Sequence, residues 1–257
     1  MILRHLLVVF ALLIALPAQG EGEAVVAGLS QNRVAITANF DGSEILIFGA
    51  VKREEPIPEA PPLEVIVTVS GPSEPVLVRR KARRFGIWVN TDSVLVDAAP
   101  SFYAVATTKP LADILRDVED LRYQISIPRA IRSVGAAMQI RDSANFTDAV
   151  IRIRTDKSLY QMLEGQVNLS ESTLFNTSVA LPSNLIEGAY TTRIFLTRGG
   201  TVVDAFDTEL EVRKVGLERW VYNLAYDRPL IYGLLSLFIA IVAGWGASAV
   251  FRYFLRS

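Results

Sequence analysis

Five of the six residues at positions 79–84 are cationic: Arg79, Arg80, Lys81, Arg83 and Arg84. Clustered guanidinium groups hold oxyanions and lipid phosphates through paired N–H donors, so this run points to anion recognition or to docking of an acidic partner. On a strand, Arg79, Lys81 and Arg83 point to one side, and Arg80 and Arg84 to the other. Two core-facing arginines are disfavoured, which predicts an edge strand or a protruding hairpin. Charges on an edge also discourage strand addition by a second molecule. The plainer reading is a solvated edge whose cations are offset by Glu54, Glu55, Glu59, Glu64 and Glu74. The apolar FGIWVN that follows predicts a short buried strand with Trp88 in the core.

Other chemistries are narrowed by absence. The chain has no cysteine, and its single histidine is His5, within the first twenty residues. That removes Ser–His–Asp and Cys–His nucleophilic sites, ordinary zinc sites, haem ligation by histidine and blue-copper sites together. No oxygen-rich DxDxDG loop is present for calcium. No metal and no cofactor is expected. Carboxylate chemistry through Asp41, Glu44 or Asp97, or a Ser–Lys pair, stays open, but no paired-carboxylate spacing stands out. The expectation is a non-enzymatic protein.

Charge points away from nucleic acid as well. The chain carries 26 basic and 27 acidic residues, a net of −1. Residues 21–227 hold 22 basic against 27 acidic, a net of −5. A nucleic-acid binder needs a basic excess, and only the local run has one.

The elements that must position these residues begin at the chain ends. MILRHLLVVFALLIALPAQG has a basic start, an apolar run and small residues, the order of a secretory signal over 1–20 with cleavage after Gly20. At the other end, residues 229–251 carry no charge. A helix of that length is roughly 34 Å long, enough to cross a hydrocarbon layer of about 30 Å. Arg252 and Arg256 follow, so the tail at 252–257 is cytoplasmic and the bulk of the chain periplasmic, on the inner membrane. The basic run therefore sits outside the cytoplasm.

Between the ends the pattern is mainly β, with period-two runs such as RVAITANF, LEVIVTVSGP and TVVDAFDTELEV separated by turn signals. EILIFGAV reads as a strand buried on both faces. The fold class expected is two immunoglobulin-like β-sandwich units with a helical insertion, plus one C-terminal transmembrane helix. The units are a sandwich over 21–109, helices over 110–160 and a β unit over 161–214. In the insertion, LADILRDVEDLRY places Leu111, Ile114, Leu115, Val118 and Leu121 at helical spacing, and 143–160 places Phe146, Ala149, Val150 and Ile153 on one helical face. A strand over AVIRIRT is the alternative there. Gly199-Gly200 predicts a two-residue hairpin turn, and LPSNLIEGAY resembles a tyrosine corner at Tyr190.

Residues 215–228 predict a juxtamembrane helix, with Trp220, Tyr222 and Tyr226 suited to the membrane–water interface. Ala240, Gly244 and Ser248 fall four apart, a small-residue stripe that lets a partner helix approach closely.

GLSQNRVAITANFDGSEILIFGAV, RRKARRFGIWVN, APSFYAVATTKPL, LPSNLIEGAY and WVYNLAYDRPLIYG together resemble the uncharacterised alphaproteobacterial single-pass transmembrane protein family, over nearly the whole chain after the leader. The resemblance carries no activity, cofactor or catalytic residue. It implies a neighbouring permease of the sulfite-exporter kind, since such permeases lie beside members of the family in genomes. The expected function is a membrane-anchored periplasmic accessory protein paired with a polytopic membrane protein. The alternative is an anion-binding module built on residues 79–84.

Overall fold

The structure is a computed structural model that describes residues 22–36, 40–54, 56–58, 60–133, 143–214 and 217–254. The leader expected over 1–20 lies outside the described residues, as do the last three residues of the tail.

Twelve strands are present among the described residues. They are β1 (Ala24–Leu29), β2 (Arg33–Ile36), β3 (Ser43–Lys52), β4 (Leu63–Ser70), β5 (Ser73–Arg84), β6 (Ile87–Pro100), β7 (Tyr103–Thr107), β8 (Tyr160–Leu163), β9 (Asn168–Ser170), β10 (Leu174–Leu181), β11 (Gly188–Arg198) and β12 (Thr201–Lys214). They form a four-stranded sheet in the order β1-β3-β10-β9, a six-stranded sheet in the order β2-β12-β11-β4-β7-β8, and a β5-β6 hairpin standing as its own two-stranded sheet.

The two larger sheets pack face to face. Ile45, Ile47, Phe175 and Val179 of one meet Val65, Val67, Ile194 and Val212 of the other in a single core. The segments 21–109 and 161–214 contribute strands to both sheets, because β3 pairs with β10 and β4 with β11. Hydrogen bonding thus joins the two expected sandwich units into one. Alternation along a strand tells which face is buried but not which strand lies beside it.

The six-stranded sheet is covered on both sides, which accounts for the unbroken apolar run in LEVIVTV. Val65, Val67 and Val69 of β4 face the sandwich core, whereas Ile66 joins a second core with Tyr103, Val105, Ile125 and Phe195. β3 is the reverse case. Ile45 and Ile47 are buried but Leu46 and Phe48 are exposed, so EILIFGAV alternates with its outer face in solvent, not buried on both faces.

Helices cover the second core: α1 (Leu111–Ile114), α2 (Asp117–Tyr123), α3 (Ile127–Ala130) and α4 (Ser143–Asp156). LADILRDVEDLRY is not one helix. Leu115 is extended (φ −140°, ψ 127°), and the Arg116 N–H donates to the Gly200 carbonyl at 2.9 Å, a tertiary bond that replaces a helical one. Val118 and Leu121 consequently end up exposed. In α4, Phe146 and Val150 are buried as the helical period predicts, while Ile153 is exposed.

Two local expectations are met. Gly199 and Gly200 make the turn between β11 and β12 with φ of +57° and +82°. The buried Tyr190 donates its hydroxyl to the Ile186 carbonyl at 2.8 Å, four residues upstream.

At the C-terminal end lie α5 (Leu217–Asp227) and α6 (Pro229–Phe254). Pro229–Ser248 is long and apolar enough to cross a bilayer, and none of it is buried against the rest of the chain.

Candidate functional site

The β5–β6 hairpin carries the basic run. Its strands pair from Ser73 opposite Pro100 out to Arg84 opposite Ile87, with an irregularity between Arg80 and Lys81. Near the base, Val76, Val78, Val94 and Val96 pack inward against the helices and the second core. Beyond Asp92 no residue of β5 or β6 is fully buried. Roughly six residues of each strand, about 20 Å at 3.3 Å per residue, thus project past the core.

The five cations divide between two places. Arg79, Arg80 and Lys81 line a recess of about 300 Å³ together with Asn145, Phe146 and Arg152 of α4. Arg80 faces inward, the orientation that burial disfavours. It is accommodated by lying 4.8 Å over the Phe146 ring and by an ion pair with Asp92 at 3.2 Å. A cation over an aromatic face is worth about 0.5–1 kcal/mol at such an exposed site. Among the described residues, Arg79, Lys81 and Arg152 form no ion pair. The recess therefore has an excess of positive charge. Cationic side chains from two elements, β5 and α4, line it, two of them forked guanidinium donors besides that of Arg80.

Of the five acids expected to offset the run, the three among the described residues form no ion pair with it. Glu64 accepts from Thr108 Oγ1 at 2.6 Å and Lys109 Nζ at 2.5 Å, and Glu54 lies 4.0 Å from Lys52. Glu74 is at the hairpin base opposite Ala99. Glu55 and Glu59 lie outside the described residues.

Arg83 and Arg84 stand apart from the recess, at the hairpin tip opposite Trp88 and Ile87. Phe85 (φ +49°) and Gly86 (φ +87°) make the turn. The expected burial of FGIWVN is overturned: Phe85 is 106% exposed, Ile87 65% and Trp88 67%. The strand is apolar, but among the described residues no other element covers it.

Sequence reasoning missed Arg152 and Asn145. Their signal is the i, i+4, i+7 stripe of Asn145, Ala149 and Arg152, which runs beside the buried Phe146 and Val150. It also missed a second cluster. Glu23, just before β1, is gripped by Arg53 at 2.5 Å and by Arg198 at 2.6 Å, with all three side chains about nine-tenths buried. The Arg198 guanidinium beside Glu23 is the main influence holding its carboxyl below the usual range, helped by Arg53 and opposed by burial. Glu23 in turn raises Arg198. Arg53 also donates to the Ser172 carbonyl, and Arg198 to the Pro61 carbonyl at 2.5 Å. No local pattern joins residues so far apart in sequence.

The candidate carboxylates are not gathered. Asp41 precedes β3, Glu44 lies at its start, and Asp97 lies on β6, which is in a different sheet. Among the described residues no three His, Cys, Asp or Glu side chains cluster. Burial raises the hydroxyl pKa of Tyr103, Tyr160 and Tyr190, each of which donates to a backbone carbonyl as a packed neutral phenol. On α6, Ala240, Gly244 and Ser248 are exposed, and a side chain at Gly244 would meet nothing within 4 Å.

A family model described as Putative transmembrane protein (Alph_Pro_TM) matches residues 24–253. No curated protein matches the chain. Among solved structures, the sporulation control protein Spo0M of Bacillus subtilis is similar at a TM-score of 0.26 and 9% identity over 79% of this chain, which spans 53% of that one.

Proposed function

The chain belongs to the family of transmembrane proteins whose model spans residues 24–253, and from that premise we propose that it is a non-enzymatic accessory protein paired with a polytopic membrane protein. The periplasmic face of the inner membrane is its proposed location, with the C-terminus cytoplasmic. One observation carries this reading. The stretch Pro229–Ser248 is long and apolar enough to cross a bilayer, yet none of it is buried against the rest of the chain. Ala240, Gly244 and Ser248 offer a close-approach stripe on that uncovered helix. Arg252 and Arg256 after it favour a cytoplasmic tail. The partner we propose is a permease of the sulfite-exporter kind, in line with the family resemblance. The test is to exchange residues 229–251 for an unrelated single-pass anchor. Loss of the partner supports the pairing; an unchanged partner contradicts it.

A second reading rests on the recess. Arg79, Lys81 and Arg152, with no acid paired to them among the described residues, suit a small oxyanion such as sulfite, sulfate or phosphate. Titration calorimetry of the whole chain in detergent with each anion tests it. No heat at millimolar ligand would remove this reading and leave the accessory role standing.

A further inference from the structure

We propose that the tip of the β5–β6 hairpin docks end-on in an anionic phospholipid surface, with Phe85, Ile87 and Trp88 entering the headgroup layer and Arg83 and Arg84 holding lipid phosphates. The inference rests on the membrane anchor and does not require a protein partner.

The turn chemistry is the first reason. Two-residue turns with positive φ at both positions favour Asn-Gly or Gly-Gly, since these adopt the left-handed region without strain. Here a phenylalanine occupies the first position at φ +49°, wholly in solvent. Backbone sterics and water both disfavour that choice. An apolar environment at the tip reverses the second of these.

Composition is the second reason. Arg84 stands opposite Ile87 and Arg83 opposite Trp88, so each face of the tip carries one cation and one large apolar group. A protein groove reads one face of a ribbon, whereas a lipid layer surrounds both. Tryptophan favours the membrane–water interface, and arginine places its stem along apolar matter with its head at phosphate level. No acidic side chain among the described residues pairs with Arg83 or Arg84, and Arg83 Nε donates only to the Gly86 carbonyl at 3.4 Å. Both guanidinium heads keep donors for phosphate oxygens. The surface itself is at hand, because the chain belongs to a transmembrane family and carries a helix long and apolar enough to cross a bilayer.

The test uses the full chain reconstituted into phosphatidylcholine vesicles with or without phosphatidylglycerol. The chain has three tryptophans, so Trp220→Phe with Trp245→Phe leaves Trp88 as reporter. With phosphatidylglycerol present, we expect Trp88 emission to shift to the blue, acrylamide quenching to fall and quenching by bromine-labelled acyl chains to rise. High salt and Arg83→Glu with Arg84→Glu should reverse these changes. Phe85→Asn creates an Asn-Gly turn, so it should hold or raise the melting temperature while weakening lipid quenching. Three results would overturn the proposal: Trp88 open to acrylamide and unquenched by lipid in both vesicles, equal lipid quenching without phosphatidylglycerol, or protection seen in native membranes alone. The last would assign the tip to a protein.

Discussion

Arg198 holds Glu23 with two parallel hydrogen bonds, Nε to Oε2 at 2.6 Å and Nη2 to Oε1 at 2.7 Å, across 175 residues of sequence. Arg53 closes the other side of the same carboxylate. The cluster ties the start of β1 to the ends of β3 and β11, and so pins the outermost strand of the four-stranded sheet to the six-stranded one. Val25 N–H adds a bond to Asp204 Oδ2 at 2.7 Å in the same region.

Removing one partner of such a buried set leaves uncompensated charge. Glu23→Ala should cost about 3–5 kcal/mol of stability, and Glu23→Gln less. Because the carboxyl pKa is lowered in the folded protein, its contribution is fully present above the ordinary glutamate range of about pH 4.3. It is lost as the pH falls through the lowered value. Denaturant melts of the full chain between neutral and acid pH check this: the wild type should lose more stability on acidification than Glu23→Gln. Equal acid sensitivity would contradict the assignment.

Tyr190 gives a smaller effect. Tyr190→Phe removes the hydroxyl of a buried side chain and its hydrogen bond to the Ile186 carbonyl. The expected loss is about 1–2 kcal/mol in a chemical melt, with no change in the far-ultraviolet spectrum.

Gly49 in the middle of β3 has no room for a side chain. A Cβ there would lie 2.5 Å from the Phe175 ring and 2.7 Å from the Val26 carbonyl oxygen. Gly49→Ala should destabilise by about 1–3 kcal/mol through overpacking. A neutral result would mean that the four-stranded sheet is looser than its register requires.

The recess makes a separable prediction. If it binds a small oxyanion, Arg79→Ala and Arg152→Ala should each lower the affinity at least about tenfold, the loss of one charge-assisted contact of roughly 1.5 kcal/mol. Arg84→Ala, outside the recess, should leave it unchanged. Equal effects of all three would mean that diffuse charge and not the recess is responsible. Calorimetry with sulfite, sulfate and phosphate reads the difference.

Much of this fold is legible in the sequence, and the failures share a cause. The Gly199-Gly200 turn, the Tyr190 corner, the helix over Phe146 and Val150 and the apolar stretch from Pro229 onward are set by local spacing, and each is found where spacing puts it. The pairing of β3 with β10 and of β4 with β11 is decided by contacts more than a hundred residues apart, which period-two patterning cannot address. The same limit applies to the Glu23 cluster. At the helix break, the tertiary bond from Arg116 to Gly200 outweighs the propensity of LADILRDVEDLRY. At the basic run, the protruding hairpin was readable from the charges. The exposure of Trp88 was not, because an apolar strand looks alike whether or not another element covers it.

The uncovered helix is proposed to pair with a polytopic membrane protein. The most direct test is capture of the tagged full chain from native membranes in mild detergent, after crosslinking, with mass spectrometry of what accompanies it. The same capture is run with Ala240, Gly244 and Ser248 each replaced by leucine. The prediction is a stoichiometric polytopic protein with the native helix that is lost with the leucine-substituted one. Recovery of the chain alone in both captures would contradict the claim.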